Sequence, residues 1–381
     1  MPDNGNSTRK VDVLIIGGGV IGCSLALRLA QAKLHVTVLD RNDIGLEASS
    51  AAAGMIGPHA EAVEPTDFFN LTVASRDLYP QFVTEIEELS GERVGYRRDG
   101  TLLVSLSDQD DVELDSVYHT QKKLGFAPAR LTASQVLDAV PGLSPQLRGG
   151  LLLPGDHWVD NERLMYALVL AGKTLGVNFH ARSAVRKLNV RDRRVESLEV
   201  DSSTVAVPSI YTAGRYVLAA GSWSGELAAT LGLSLPMTPC RGQMLECESA
   251  WELPLIVRHG LHYMVPRAGR RIAMGTTAEY VGFDKLVTAE GLRSILAGVA
   301  QLTPRLADLH FRRAWAGLRP DTVDHLPILG YGDWENLIFA TGHFRHGILL
   351  APITAKLLAE LMLSGQASHP LDLYRPTRFG P

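Results

Sequence analysis

A glycine-rich turn near the amino terminus, followed by an acidic residue, has the residue types and spacing of a dinucleotide-binding site. Gly17, Gly19 and Gly22 follow an apolar, β-branched run, and Asp40 lies 18 residues past Gly22 (40 − 22) at the end of a second such run. The glycines permit a tight turn, a close approach of the pyrophosphate and close packing of a helix on a strand, while the acid accepts hydrogen bonds from ribose hydroxyls. We predict a dinucleotide site; the pattern leaves open FAD, NAD or a glycine-rich turn without a ligand.

Two arginines and a tyrosine have the chemistry to bind a carboxylate. Arg319 stands among Trp, Leu and Pro, Arg345 lies in a loop between Gly342 and Gly347, and Tyr263 falls in the strand-like run LHYMVP. An arginine in an apolar setting needs an anionic partner, and a guanidinium can bind a carboxylate through two parallel hydrogen bonds. Taken singly, each arginine also fits a surface position or a structural salt bridge, and the tyrosine fits a half-buried place in a strand.

A stretch of small residues, 49–54, is unsuited to a packed surface helix, so its backbone could lie against a flat ligand. The hydroxyls of Ser49 and Ser50 could donate to a phosphate or cap the next helix, and a capped, alanine-rich turn is the alternative. Just beyond this stretch, His59 and Glu61 are candidates to reach a substrate amine.

The composition is that of an ordinary globular protein without a surplus of positive charge. Of 381 residues, 46% are hydrophobic and 20% charged, and the net charge of −4 gives no electrostatic basis for nucleic-acid binding. Cys23, Cys240 and Cys247 are too few and too irregular for a disulfide framework, and no spacing of histidines and acids indicates a metal. No uninterrupted apolar run reaches the ~20 residues that span a bilayer. From the few cysteines and the apolar runs we expect a cytoplasmic protein. Nucleophile-elbow and P-loop motifs are also missing, so we expect neither acyl- nor phosphoryl-transfer chemistry.

Apolar periodicity predicts the elements that position these residues. Helices are predicted over 21–32, 67–90, 108–124, 161–175 and 288–302. Strands are predicted around the first glycine turn, at 177–180, 184–189 and within 216–223, and as an antiparallel pair at 261–266 and 271–276. A further strand-glycine-helix unit leads from 336 through Gly342 into a long helix that begins near Gly347 and returns to the first domain.

Six segments together resemble the D-amino-acid oxidase family of flavoproteins, and within it the glycine oxidases of thiamine biosynthesis. They are VDVLIIGGGVIGCSLA, SSAAAGMIGPHAE, VLAAGSWS, CRGQM, WAGLRP and GHFRHGILLAP, and the resemblance extends from Val11 to about Leu361. It implies an α/β fold with a Rossmann-like FAD-binding domain interleaved with an α+β substrate domain built on an antiparallel sheet. The implied FAD-binding domain comprises residues 1–88, 150–232 and 312–381, and the substrate-binding domain comprises residues 89–149 and 233–311.

The resemblance also implies a noncovalent FAD, since no cysteine follows Cys247 to bind a flavin covalently. It places Arg319 and Tyr263 on the carboxylate of the substrate, with Arg345 beside them near the flavin. The residues implied to bind FAD are Gly17, Gly19, Val20, Ile21, Gly22, Asp40, Arg41, Ser49, Ser50, Ala53, Gly54, Met55, Val185, Ala220, Gly221, Trp223, His343, Arg345, Gly347 and Ile348.

The implied reaction oxidises glycine, with sarcosine and small D-amino acids as further substrates, to an imine or 2-oxo acid while dioxygen becomes hydrogen peroxide. The imine would supply synthesis of the thiamine thiazole, and a homotetramer is expected from the same resemblance. Three positions depart from the family pattern: Ala278 replaces a common methionine, Leu261 a polar residue and His346 a frequent asparagine. The smaller Ala278 would admit side chains larger than the hydrogen of glycine.

Three other functions stay open on the sequence. A D-amino-acid dehydrogenase would pass electrons to a quinone or another carrier instead of dioxygen. An NAD-dependent dehydrogenase could share the opening glycine motif, and a non-catalytic flavin-binding protein would hold a flavin that no small amine reduces.

Overall fold

Two large β-sheets, one mostly parallel and one mostly antiparallel, organise the chain. The computed structural model describes residues 11–61, 66–202 and 205–380. The strands, in chain order, are β1 (Val13–Ile16), β2 (Val36–Leu39), β3 (Met55–Ile56), β4 (Thr101–Ser105), β5 (Ala129–Thr132), β6 (Gly149–Leu153), β7 (His157–Trp158), β8 (Asn178–His180), β9 (Ser183–Arg191), β10 (Arg194–Ser202), β11 (Val205–Tyr211), β12 (Arg215–Leu218), β13 (Met237–Glu248), β14 (Ile256–His259), β15 (His262–Arg267), β16 (Arg271–Gly275), β17 (His310–Thr322), β18 (Ile328–Tyr331) and β19 (Leu337–Thr341).

The helices agree with the predicted ones at the long amphipathic segments. They are α1 (Val20–Gln31), α2 (Ala48–Ala51), α3 (Pro58–Glu61), α4 (Asp67–Ser90), α5 (Asp108–Lys123), α6 (Ala133–Ala139), α7 (Asn161–Thr174), α8 (Ser224–Ala229), α9 (Ala289–Leu302) and α10 (Gly347–Ser364), with 3₁₀ turns at Gly221–Trp223, Pro304–Asp308, Phe344–His346, Asp372–Tyr374 and Pro376–Phe379. The one-turn helix α2 corrects the expectation that the small-residue stretch forms no helix.

The first sheet has the spatial order β18-β19-β12-β1-β2-β8, in which β18 is antiparallel to β19 and the remaining neighbours are parallel. One face is covered by α1, α4, α7 and α10, and the other packs on a three-stranded sheet of β9, β10 and β11. Burial on both faces explains why these strands are continuous apolar runs and not alternating ones. The Rossmann-like topology predicted for the first domain is confirmed.

The glycine turn between β1 and α1 requires glycine for two reasons. Gly17 has a φ of +110°, and a Cβ there would overlap the backbone carbonyl of Ala219 on the neighbouring strand connection. A Cβ on Gly22 would overlap the carbonyl of Gly17, so its absence lets α1 lie directly against the turn. Both residues therefore set the distance between the helix and the sheet.

The second sheet has the order β17-β13-β16-β15-β14-β4-β6-β5 and is antiparallel except between β14 and β4. Helix α9 packs on it over a separate apolar core. The predicted antiparallel pair at 261–276 is confirmed, whereas the long strands β13 and β17 were not predicted because glycine, proline and arginine interrupt their apolar pattern. The division into two domains stays a prediction. Strands β6 and β17, most of whose residues the prediction assigns to the FAD-binding domain, lie in this second sheet.

The last helix has the composition of a membrane span. The segment Phe344–Ser364 meets the length and hydropathy of a helix that crosses a bilayer, and 67% of it is buried within the protein. Helix α10 packs against α1 and α4 and contributes to the largest apolar core. Its hydropathy is therefore accounted for by burial between other elements of the fold.

A buried polar cluster behind α3 corrects the role predicted for His59. Its Nδ1 lies 2.7 Å from Oε1 of Gln121, its Nε2 lies 3.0 Å from a guanidinium nitrogen of Arg76, and Phe126 packs on the ring. Burial lowers the pKa of His59 to about 4, so the ring is neutral. His59 serves the core and does not line the cleft described below, and the side chain of Glu61 lies outside the described part.

Asp156 in this cluster makes the stability of the fold depend on pH. Its Oδ1 accepts the backbone N–H of His59 at 3.0 Å, its Oδ2 has no partner among the described residues, and burial raises its pKa to about 7. Between pH ~4 and ~7 the folded protein keeps a proton that the unfolded chain releases, so the free energy of unfolding falls as pH rises through this window. Above about pH 7 that cost is fully present.

We predict that Asp156→Asn removes this dependence. The free energy of unfolding of the variant, relative to that of the wild type, should increase by on the order of 2–3 kcal/mol as the pH is raised from 5 to 8. Urea unfolding at both pH values measures the difference. Asp192→Asn is the control, since that side chain is 91% exposed and should follow the wild type. Equal pH dependence of Asp156→Asn and the wild type would show that the carboxyl is ionised in the folded state.

Candidate functional site

A cleft of about 490 Å³ lies between the two large sheets. On one side it is bounded by the carboxyl ends of β1, β2, β12 and β19, and on the other by residues of β13, β14, β15 and β17 and by the segment that follows β16. Ligands of open parallel sheets bind outside the carboxyl ends of the strands, where loops and helix amino termini meet. The described cleft is thus in the position that the glycine motif predicts.

One end of the cleft has the features of a dinucleotide cradle. Oδ2 of Asp40 accepts the N–H of Gly18 at 2.7 Å, and Oδ1 accepts the N–H of Asn42 at 2.8 Å, so the acid also fixes the glycine turn. Burial raises the pKa of Asp40 above its ordinary value. Ser49 Oγ accepts the N–H of Val20 at 2.9 Å, which places this hydroxyl at the amino terminus of α1 beside the cleft.

Nearly all the predicted cofactor residues line the cleft. They are Gly17, Gly19, Val20, Ile21, Asp40, Arg41, Ser49, Ala53, Gly54, Met55, Val185, Ala220, Gly221, Trp223, His343, Arg345, Gly347 and Ile348. Gly22 and Ser50 do not, which corrects their placement among the residues facing the ligand. Gly22 packs on the turn, and Ser50 Oγ donates to the carbonyl of Gly45 instead of to a phosphate.

The small-residue stretch presents unused backbone donors to the cleft. The N–H groups of Ala52, Ala53 and Gly54 find no acceptor among the residues that the structure describes, although Ala53 is only 7% exposed. Buried N–H groups are almost always paired, so donors without acceptors beside a cleft indicate a ligand with acceptor atoms. A flavin ring and a pyrophosphate both provide such atoms, and the cradle therefore fits FAD.

An aromatic stack covers the same end of the cleft. The guanidinium of Arg41 lies 3.9 Å from the centre of the Trp223 ring, and the ring of Phe283 stacks with that of Trp223 at a centroid distance of 5.5 Å. Lys285, two residues on, pairs with Glu47 at 2.9 Å. The segment after β16 is thereby joined to the cofactor side of the cleft.

At the opposite end, Arg319 is a cation without an anion. Its Nη1 donates to the carbonyl of Thr277 at 3.1 Å, and its Nη2 donates to Oγ1 of Thr276 at 2.8 Å. The residue is half-buried, and no carboxylate of the described residues lies within ion-pair distance of it. Arg241, on the neighbouring strand, contrasts with it because Glu279 and Asp284 both pair with Arg241 at 2.7 Å.

The other predicted substrate residues lie in the same part of the cleft. Tyr263 is buried, and its hydroxyl lies 3.1 Å from Sδ of Met244. Arg345 is exposed at the cleft margin, with its guanidinium 4.9 Å from the ring of Phe344. Leu261 and Ala278 also line the cleft. The fold therefore brings Arg319, Tyr263 and Arg345 to one cavity from three distant parts of the sequence.

Glycines on the second sheet make room for these side chains, and the sequence analysis gave them no role. A Cβ on Gly242 would overlap the guanidinium of Arg319, and a Cβ on Gly275 would lie 2.6 Å from the Tyr263 hydroxyl. Gly242 is paired with Gly317 across β13 and β17, so neither strand has a side chain at this pair. The segment CRGQM contains Gly242 and the segment WAGLRP contains Gly317, but only the strand pairing reveals that these two glycines lie side by side.

The two histidines near Arg345 have different surroundings. His343 lies at the cleft with its Nε2 3.1 Å from Oγ1 of Thr354, and burial lowers its pKa to about 3, so the ring is neutral. His346 packs its ring edge-on against Phe68 and does not line the cleft. The departure from the family pattern at His346 therefore lies outside the cavity wall, whereas Leu261 and Ala278 lie on it.

Comparison with known proteins agrees with this cleft. A family model described as FAD-dependent oxidoreductase (DAO) matches residues 12–361. The bifunctional protein ThiO/ThiG of Synechocystis sp. is 37% identical over 377 residues, which cover 97% of this chain and 54% of that protein. The chain thus spans about half the length of the bifunctional relatives that it matches.

Solved structures show the same architecture. The crystal structure of glycine oxidase from Geobacillus kaustophilus superposes with a TM-score of 0.90 at 30% identity, covering 96% of this chain and 98% of that one. Iminodiacetate oxidase (IdaA) from Chelativorans sp. BNC1 gives a TM-score of 0.86 at 26% identity, covering 96% and 98%.

These matches confirm the predicted family and cofactor, and they remove the NAD-dependent dehydrogenase from the alternatives. Because the family match runs through almost the whole chain and the cleft fits FAD, this protein belongs to the DAO family of FAD-dependent oxidoreductases.

Proposed function

We propose that this protein oxidises glycine or another small amino acid to the imine, using FAD and dioxygen and producing hydrogen peroxide. Hydrolysis of the imine gives the 2-oxo acid and ammonia, or a biosynthetic partner captures the imine first. Similarity to a glycine oxidase and to a protein named ThiO/ThiG supports a role in supplying the imine for the thiamine thiazole.

One observation carries the proposal. Arg319 is a half-buried guanidinium at the cleft whose partners in the described structure are a carbonyl and a hydroxyl, not an acid. Keeping a cation out of water without a counter-charge is costly, and an arriving carboxylate relieves that cost through charge-assisted hydrogen bonds. The arrangement therefore selects a ligand that carries a carboxylate.

The residues around Arg319 bind and orient the substrate. Arg319 holds the carboxylate, and the Tyr263 hydroxyl, which contacts Sδ of Met244 in this structure, would turn to the carboxylate as a second donor. Met244 and Leu261 supply apolar surface to the same cavity. Bound FAD supplies the acceptor for a hydride from the substrate Cα. Positioning is the main task of the side chains, since a fixed approach of the reacting atoms replaces an entropy cost in solution.

The cavity wall leaves room for substrates larger than glycine. Ala278 lines the cleft with a single methyl group and is exposed to it, and Leu261 beside it is 50% exposed. A similar protein named iminodiacetate oxidase acts on a secondary amine, which supports including sarcosine among the candidates. A homotetramer, which comes from the family resemblance, and a cytoplasmic location, which comes from the composition, are also part of the proposal.

We predict that an amino acid from a small panel reduces the flavin. The purified holoenzyme is mixed anaerobically with glycine, sarcosine, D-alanine, D-proline and a larger D-amino acid, and the flavin absorbance near about 450 nm is followed. Readmitted air should restore the colour with formation of peroxide. Bleaching followed by dye reduction without peroxide would instead indicate a dehydrogenase, and no bleaching with any member would reject amino-acid oxidation.

A second prediction concerns the carboxylate site. Arg319→Gln should raise the dissociation constant of the reducing amino acid, or of a carboxylate inhibitor such as acetate, at least about 30-fold, because a charge-assisted pair of about 2 kcal/mol or more is lost. FAD should remain bound. Arg312→Gln is the control, since Arg312 lies on the same strand and pairs with exposed Glu248 away from the cleft. Unchanged affinity in Arg319→Gln would disprove the assignment.

A third prediction uses the glycine under Arg319. Gly242→Ala should displace the guanidinium and raise KM about tenfold or more with little change in FAD affinity, since catalysis is sensitive to displacements of about 1 Å. Steady-state kinetics and FAD titration measure the two effects. Gly225→Ala is the matched control because its added Cβ would meet its nearest neighbour at an ordinary 3.7 Å. A wild-type KM in Gly242→Ala would show that the position of the Arg319 guanidinium does not depend on a glycine at residue 242.

A further inference from the structure

The small-residue stretch is held from the side opposite the cleft by groups that the mechanism above does not use. Nδ2 of Asn161, at the start of α7, donates to the carbonyls of Ser49 at 2.8 Å and Ser50 at 2.9 Å. The indole Nε1 of Trp315, on β17, donates to the carbonyl of Ala51 at 3.0 Å. Side chains from helix α7 and strand β17 therefore bind three consecutive carbonyls of the one-turn helix α2.

Arg267 completes this set at the residue nearest the unused donors. Its Nη2 donates to the carbonyl of Ala53 at 2.6 Å and to Oδ1 of Asn161 at 2.9 Å. Arg267 does not line the large cleft; it lies in a separate small polar pocket with Asn161 and Trp315. The guanidinium therefore contacts the segment from behind.

The geometry of a peptide bond links these contacts to the cleft. In a trans peptide the C=O of one residue and the N–H of the next point in opposite directions. Because Arg267 binds the carbonyl of Ala53 from behind, the N–H of Gly54 is directed to the other side, where it has no acceptor among the described residues. Trp315 has the same effect on the N–H of Ala52 through the carbonyl of Ala51.

The positive charge of Arg267 also makes the N–H of Gly54 a stronger hydrogen-bond donor. A hydrogen bond to a carbonyl polarises the peptide, and a charged donor does so more than a neutral one. Burial lowers the pKa of the Arg267 guanidinium, and nearby acids oppose this effect: Asp160 and Glu162 on the α7 side and Glu246 on the sheet side. Glu246 is 2% exposed and also binds Arg271 at 3.3 Å, which anchors the group to the second sheet.

We propose that Arg267 is a positioning residue for the flavin. By binding the Ala53 carbonyl, it fixes and polarises the Ala53–Gly54 peptide so that the Gly54 N–H donates to an acceptor on the flavin ring. Such a donor stabilises the negative charge that the ring gains on reduction, so Arg267 raises the midpoint potential of the bound flavin. The inference rests on FAD occupying the cleft and is independent of which amino acid is oxidised.

The test compares Arg267→Met with Arg271→Met in the FAD-loaded protein. Arg271 is the matched control because it is paired directly opposite Arg267 across β15 and β16, binds Glu246 and the carbonyl of Ala268, and makes no contact with the small-residue stretch. Two quantities are measured without substrate: the midpoint potential of the flavin, and hydrogen exchange of a peptide covering 48–57. A melting curve of each variant reports its global stability.

Arg267→Met should give a more negative midpoint potential and about tenfold faster exchange in that peptide, whereas Arg271→Met should leave both at the wild-type values. Equal shifts in the two variants, or no shift in Arg267→Met, would overturn the proposal. Arg267→Gln removes the charge but keeps an N–H donor, and it serves if the methionine variant does not fold. A wild-type potential in Arg267→Gln, with Arg267→Met unfolded, would likewise reject the proposal, because the cation would then have no effect on the flavin.

Discussion

The structure depends on one steric constraint: both walls of the cleft must present backbone, or very small side chains, to a flat ligand. On the first sheet, Gly17 and Gly22 bring α1 against the strands, and the stretch 49–54 adds a layer with almost no side-chain volume. On the second sheet, Gly242 and Gly275 leave space above the strands. The side chains of Arg319 and Tyr263 occupy the space that a side chain at either glycine would fill.

The partners of the arginines near the cleft distinguish those with a structural role from the one suited to bind a ligand. Arg241 is neutralised by Glu279 and Asp284, so it joins β13 to the segment that follows β16. Arg267 is surrounded by acids and spends its hydrogen bonds on a backbone carbonyl and Asn161. Arg319 has neutral partners alone within the described structure, which makes it the member of the group suited to an incoming carboxylate.

The two ends of the cleft are coupled through the stretch 49–54. The N–H groups of its residues 52–54 have no acceptor in the described structure, its carbonyls are bound by Asn161, Trp315 and Arg267, and Trp315 lies on the strand that also carries Arg319. Movement of the second sheet relative to the first would therefore disturb both the cofactor and the substrate side.

The sequence by itself determined the features that depend on local order. The spacing of Gly17, Gly19, Gly22 and Asp40 is set within one strand-turn-helix-strand unit, and the amphipathic helices follow from a 3.6-residue period, so both could be read before the fold was known. The motifs together also pointed to Arg319 as a ligand residue.

Only the tertiary structure decided which residues meet. His59 has the chemistry of a substrate contact, yet long-range packing with Gln121, more than sixty residues away, puts it in the core. The strands β13 and β17 lack a recognisable apolar pattern because their glycines serve the cleft and not a core. The side chains that bind the carbonyls of the stretch 49–54 come from more than one hundred residues away, and contacts at such separations leave no periodicity in the sequence.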